Sequence, residues 1–193
     1  MLTKALLMLP FAALVLVAAK PAPEAAAPVL PSIAAPAEIA ANPANKLILQ
    51  LSTGGTVVIQ LRPDIAPRHV ERLQTLVRQG FYNGLTFHRV IPGFMAQGGD
   101  PKGTGEGGSS LPDLKAEFSA MPFLRGTVAA ARTGDNVDSA NSQFFIVYLP
   151  NAGLNGNYTA FGRVISGMDA VDKIAPGEPP PEPTKIVSAT LGG

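Results

Sequence analysis

Phe87-His88-Arg89-Val90-Ile91-Pro92-Gly93-Phe94-Met95-Ala96-Gln97-Gly98-Gly99-Asp100 is the stretch on which the reading of this 193-residue chain turns. It contains two strand-like runs, 85–91 and 94–98, with Pro92-Gly93 between them. Further strand-like runs follow at 127–131, 143–149 and 159–165, and Lys185 to Leu191 reads as a closing strand. Upstream, Leu47, Leu49 and Leu51 alternate with less apolar positions, Gly54-Gly55 turns the chain, and Thr56 to Leu61 is rich in β-branched residues. That is a strand–turn–strand signature. Many short strands, irregular turn-rich spacing and few helices point to a closed β-barrel.

Two helices complete the pattern. Ala66, Val70, Leu73 and Leu76/Val77 recur at helical spacing, so 65–79 is predicted as an amphipathic helix. Asp64 is its candidate cap, Pro67 suits its first turn and Gly80 its end. Ser166-Gly167-Met168-Asp169 opens like a second, shorter helix that carries Met168, Val171 and Ile174. Residues 176–183 are Pro-rich and read as a loop.

Outside this region the chain changes character. Lys4 followed by the apolar run Ala5 to Ala18 has the length and polarity of a secretory signal peptide, assigned to 1–19, and Val17-Ala18-Ala19 offers small residues for cleavage. An exported, periplasmic protein is therefore expected; a membrane anchor made by an uncleaved leader is the alternative. Residues 20–45 are dominated by Ala and Pro and lack aromatics, and are expected to be a disordered linker. The folded domain is expected over 46–193. A net charge of +1 without a long basic run gives no surface for tracking nucleic-acid phosphates. With no cysteine, disulfides, thiolate catalysis and cysteine-held zinc are all excluded.

Taken as a block, Phe87 to Asp100 resembles the active-site segment of the cyclophilins, in which Arg follows Phe-His and a Phe-Met-x-Gln-Gly-Gly-Asp run closes the block. Gly126 to Thr133 is similar to the family's Gly-x-x-x-Met-Ala strand, and Ser142-Gln143-Phe144-Phe145-Ile146 to its Ser-Gln-Phe-Phe-Ile core. Leu154-Asn155-Gly156 and Ala160-Phe161-Gly162-Arg163-Val164 resemble its later blocks, in the family's order, so that the likeness spans about 46–192. The resemblance implies a mainly β fold: a closed eight-stranded antiparallel β-barrel capped by two α-helices, with the active site on its outer face. It implies peptidyl-prolyl cis-trans isomerase activity on proline-containing polypeptide clients, in a protein expected to be a monomer.

The chemistry explains the residue types. Rotation about an X–Pro bond meets a barrier of roughly 18–20 kcal/mol and takes tens to hundreds of seconds unaided. No bond breaks, so the reaction calls for no cofactor, metal or nucleophile. It calls for an apolar slot for the proline ring and for fixed donors that favour the twisted amide. By resemblance Arg89 is the catalytic donor, and Phe94, Met95, Phe145 and Leu154 form the slot. Gln97 and Gln143 are expected to bond or buttress the substrate and Arg89. The backbone near Ala131 and Arg132 is expected to hold the substrate extended, and Tyr158 stands where the family often has His. Gly153 occupies the position where the family commonly carries Trp. A non-enzymatic peptide-binding module or holdase on the same scaffold is the competing reading.

Two other signals carry less. Gly103 to Gly108 satisfies a bare G-x-G-x-x-G, but no βαβ unit surrounds it, so it reads as a glycine-rich loop beside the site. His69 and His88 are the only histidines and lack metal-ligand spacing.

Overall fold

The computed structural model describes residues 33–192. The expected signal peptide, and the expected linker as far as residue 32, lie outside the described residues. Eight strands form one antiparallel sheet: β1 Lys46–Leu51, β2 Thr56–Leu61, β3 Phe87–Ile91, β4 Met95–Gly98, β5 Thr127–Ala130, β6 Phe144–Val147, β7 Ala160–Ser166 and β8 Ile186–Leu191. Their order is β3-β4-β6-β5-β7-β2-β1-β8. The end strands meet through one bridge, Thr86 with Lys185, beside hydrogen bonds from Phe87 N–H to Thr184 O (2.9 Å) and from Ile186 N–H to Leu85 O (2.8 Å). The end strands thus meet over a narrow seam rather than a full ladder, so the sheet curls into a barrel without the complete closure expected.

Alternation along the strands builds its two sides. Leu47 and Leu49 pair with Ile59 and Val57, and all four are almost fully buried inside the barrel. Val90, Ala96, Ile146 and Val128 lie in register across four strands and join the same interior core. The adjacent row of Arg89, Gln97, Phe145 and Ala129 faces the other way. Outside the barrel, Met95, Met121, Phe123, Ala129, Phe145, Val147, Leu154 and Ala160 form a second apolar cluster.

After the short helix α1, Ala37–Ala41, comes α2, Pro67–Arg78, which buries Val70, Leu73, Leu76 and Val77. It ends as Gly80 predicts. Gly80 takes φ +68°, its N–H bonds Val77 O (2.9 Å), and the Phe81 N–H reaches Leu76 O (3.0 Å). These two bonds satisfy carbonyls that the last turn leaves open. The start differs from expectation, since Asp64 does not cap the helix but pairs with Arg62 at 2.7 Å. The cap comes from Glu117, whose carboxylate accepts the Arg68 and His69 N–H groups (both 3.1 Å) and contacts His69 Nδ1 at 2.7 Å. A carboxylate at a helix N-terminus satisfies open donors and complements the dipole whichever part of the chain supplies it. The last helix, Met168–Val171, is a single turn, although Val171 and Ile174 are buried as their spacing predicts.

The domain begins earlier than composition suggested. The helix α1, Ala37–Ala41, and a 3-10 turn, Pro43–Asn45, lie within the segment expected to be linker. The Gln60 side-chain amide donates to Asn45 O (3.0 Å), and the Gln74 amide to Ala44 O (2.9 Å). Asn45 is itself only 4% exposed and donates to Ile39 O (3.2 Å). Polar groups of β2 and of the helix Pro67–Arg78 therefore hold an Ala/Pro-rich segment that has little apolar surface to bury. A chain starting at residue 33 is expected to keep full stability, and one starting at 46 to lose about 1–3 kcal/mol from unpaired buried amides. Denaturant unfolding of the two truncations measures the difference.

Candidate active site

The site is assembled on the outer row. A tight turn, Ile91-Pro92-Gly93-Phe94, joins β3 to β4, with Gly93 at φ +74° and the Phe94 N–H bonded to Ile91 O (3.0 Å). Proline followed by a positive-φ glycine suits a type II turn. The turn sets Arg89 opposite Gln97, and β4 sets Gln97 opposite Phe145. The β3–β4 register slips between Phe87 and Arg89. Strict alternation would put both on one face, whereas the bulge lets Phe87 enter the barrel core while Arg89 faces out.

Arg89, Phe94, Met95, Gln97, Ala131, Arg132, Phe145, Leu154 and Tyr158 together line a depression of about 110 Å³. Nine of the ten residues expected at the site therefore share one small slot, in which apolar walls meet the polar side chains of Arg89, Gln97 and Arg132. Its walls are braced by rings: Phe145 meets Tyr158 edge-on (5.6 Å, 89°) and lies against Phe123 (6.3 Å, 25°). Met121 and Phe123 beneath it were not anticipated, because nothing in their local sequence marks them as support for Phe145. Arg132 folds back over the Tyr158 ring, 4.6 Å from its centroid, and donates to Asn157 O (3.1 Å) and Thr133 O (2.8 Å). The Ala131 N–H is bonded to Gln143 O (3.0 Å), which fixes the path of this edge.

Gln143, the tenth, lies beside the slot in a larger recess of about 390 Å³, which is lined also by Gln97, Ala131, Arg132 and the glycine-rich loop. The two glutamines form a relay. Gln97 Nε2 donates to Gln143 Oε1 (2.8 Å), and Gln143 Nε2 donates to Gly105 O and Gly107 O (both 2.8 Å). Gln97, expected to bond or buttress the substrate and Arg89, stands opposite Arg89 across the β3–β4 ladder and gives an amide N–H to Gln143. The Arg89 Nε donates to Glu178 Oε2 at 2.7 Å, a contact from the Pro-rich loop that local pattern does not reveal.

The loop is pinned by Asp100, which is 1% exposed. Its carboxylate accepts the N–H groups of Lys102 (2.8 Å), Thr104 (2.9 Å) and Gly105 (2.6 Å). A Cβ on Gly107 would fall 1.9 Å from Asp100 Oδ1, so glycine is what the close approach requires there. Gly103 to Gly108 thus wraps a carboxylate of its own chain and forms a wall of the site. His88 is buried, and burial, more than any charge around it, moves its pKa below the ordinary 6.5. No cluster of three or more His, Asp or Glu that could hold a metal occurs among the described residues.

The family described as cyclophilin type peptidyl-prolyl cis-trans isomerase/CLD matches residues 47–191. The chain belongs to this cyclophilin family. A probable peptidyl-prolyl cis-trans isomerase of Brucella suis is 52% identical, over 79% of this chain and 85% of that protein. Peptidyl-prolyl cis-trans isomerase B of Bacillus subtilis is 41% identical, over 66% of this chain and 89% of that one. Among solved structures, a cyclophilin from Hirschia baltica superposes with a TM-score of 0.71 at 30% identity, covering 78% of this chain and 74% of that chain. A Cryptosporidium parvum cyclophilin, crystallised in the presence of the dipeptide Ala-Pro, gives 0.71 at 27% identity and covers 77% and 99%.

This cyclophilin departs from the family pattern at Gly153, an exposed residue of the 3-10 turn Ala152–Leu154. The slot therefore has no indole on that rim. An indole there would supply both a donor and a large apolar contact, each worth about 1 kcal/mol. Cyclosporin-type cyclic peptides are expected to inhibit weakly. Titration into an isomerase assay tests this; inhibition at nanomolar concentration would contradict it.

Proposed function

We propose that this cyclophilin accelerates cis-trans rotation about X–Pro bonds in extended polypeptide segments, with Arg89 as the donor to the twisted amide. The observation that carries the reading is the half-exposed Arg89 guanidinium at the rim of a slot walled by Phe94, Met95, Phe145 and Leu154. A proline ring fills such a slot and leaves its amide at the polar rim. In either planar isomer the imide nitrogen is conjugated and accepts poorly. At the twisted midpoint its lone pair is free, and a hydrogen bond from Arg89 becomes stronger there than in the ground states. Nothing is transferred, and the slot releases either isomer.

The test is a protease-coupled or fluorescence isomerisation assay on an Ala-Pro peptide, using the chain from residue 33. The expected result is catalysis of the slow phase in proportion to enzyme. A chain that suppresses aggregation of unfolded clients without accelerating that phase would support the holdase reading and sink this one.

The same proposal covers clients and location. The apolar run after Lys4 supports export to the periplasm, where we propose that the protein works as a monomer on proline-containing clients. Cell fractionation with N-terminal sequencing is expected to find the protein in the envelope fraction, starting near Lys20. Full-length chain in the cytoplasm would overturn the export claim.

A further inference from the structure

We infer that Glu178 is a positioning residue for Arg89, holding its guanidinium in the plane the reaction needs; the inference rests on the proposed role of Arg89. Glu178 Oε2 accepts from Arg89 Nε at 2.7 Å. A guanidinium carries its five N–H groups in one rigid plane. A carboxylate on Nε therefore fixes the rotation of that plane and leaves the two terminal nitrogens open. Among the described residues neither terminal nitrogen has a hydrogen-bond partner, and Arg89 borders the slot.

The loop that carries Glu178 is clamped to β3 on both sides of Arg89. Val90 and Gly177 exchange backbone hydrogen bonds (2.8 and 3.0 Å), and the Phe87 N–H bonds Thr184 O (2.9 Å). At the base of the loop the Ala175 N–H bonds Thr184 Oγ1 (3.0 Å), and Thr184 is 4% exposed. Gly177 is at φ +144°, and a Cβ on it would come 2.6 Å from Pro180 Cα, with Pro180 buried behind it. The backbone under Glu178 thus has little freedom, and its carboxylate is delivered to one place beside Arg89.

A role in folding explains the contact poorly. The two side chains are 42% and 53% exposed, and ion pairs so open to water add little to stability. A role in orientation explains it well, since a long, freely rotating arginine loses efficiency as a donor unless its direction is set beforehand. Gln97, the cross-strand neighbour that could serve instead, gives its amide to Gln143.

The experiment compares Glu178→Ala, Glu178→Gln and Arg89→Ala by steady-state kinetics, with the Arg89 Nε–H resonance followed by NMR. For Glu178→Ala, kcat is expected to fall about fivefold with KM changed by less than about twofold. Glu178→Gln, whose amide oxygen can still accept from Nε, is expected to recover most of kcat and to keep the protected Nε–H signal that Glu178→Ala loses. Thermal midpoints should stay close to wild type in both. Wild-type or raised kcat in Glu178→Ala, alongside an impaired Arg89→Ala, would overturn this inference while leaving the role of Arg89 intact. Equal losses in the Ala and Gln variants with an unchanged Nε–H signal would overturn it too. Wild-type activity in Arg89→Ala would overturn the role of Arg89 itself, and this inference with it.

Discussion

Arg89→Ala is expected to lower kcat/KM at least about tenfold while leaving the fold intact. Loss of one preorganised donor to a developing charge or lone pair typically costs about 2.7–4 kcal/mol of transition-state stabilisation. The guanidinium lies on the outer row of the sheet, half-exposed, and only its Nε is engaged, by an equally exposed carboxylate. The barrel core gains nothing from it, so the thermal midpoint should barely move. The loss should fall on kcat more than on KM, because the apolar slot that binds the ring is untouched. Circular dichroism and isomerase kinetics on one preparation check both halves. A folded variant with near wild-type kcat/KM would show that the slot alone accounts for catalysis.

Asp100→Ala is expected to cause the largest loss of stability among single changes near the site, about 3 kcal/mol or more. The carboxylate is buried and accepts three backbone N–H groups of the loop that follows it. Each hydrogen bond to a charged carboxylate contributes about 1.5–3 kcal/mol, and because Lys102, Thr104 and Gly105 are exposed, water takes up part of the loss when the carboxylate is removed. For a domain of this size the midpoint should fall by about 6–12 °C. Burial alone would raise the Asp100 pKa, but the loop N–H groups it accepts, Lys102 and Gly105 foremost, outweigh it and hold the carboxyl below its ordinary 3.8. A folded-state pKa below the unfolded value means the stabilisation is complete above pH 3.8 and is lost as pH falls through the folded value. Wild type should therefore lose stability on acidification below that point more steeply than Asp100→Ala. Because Gly105 O and Gly107 O anchor Gln143, the variant should also raise KM. Equal midpoints in the two proteins would show that the loop holds its shape without the carboxylate.

Much of this was legible in the sequence because the strands advertise their own faces. Leu47, Leu49 and Leu51 alternate, Thr56 to Leu61 is β-branched, and both lie where the pattern places them. Leu76, Val77 and Gly80 likewise announce the end of α2. Nine of the ten residues proposed for the site could be named because each sits in one of the quoted blocks, whereas Tyr158 falls between two of them. What escaped was set by pairing between distant segments. The slip that sends Phe87 inward and Arg89 outward depends on the β4 partner, not on the order of residues in β3. Glu117 caps α2, and Glu178 reaches Arg89, from segments far along the chain, so no local motif records either contact. The segment before Lys46 looked unfit to fold because it is Ala/Pro-rich. Its backbone carbonyls proved more important than its side chains, since they answer the amides of Gln60 and Gln74.

The most direct measurement is NMR exchange spectroscopy on an Ala-Pro peptide with a catalytic amount of the isotope-labelled chain. The account predicts cis-trans exchange raised far above the uncatalysed rate of about one event in tens to hundreds of seconds. It also predicts saturable shifts centred on Phe94, Met95, Phe145 and Leu154, with exchange strongly reduced in Arg89→Ala. Uncatalysed exchange despite saturable shifts at those residues, or exchange unaffected by Arg89→Ala, would contradict it.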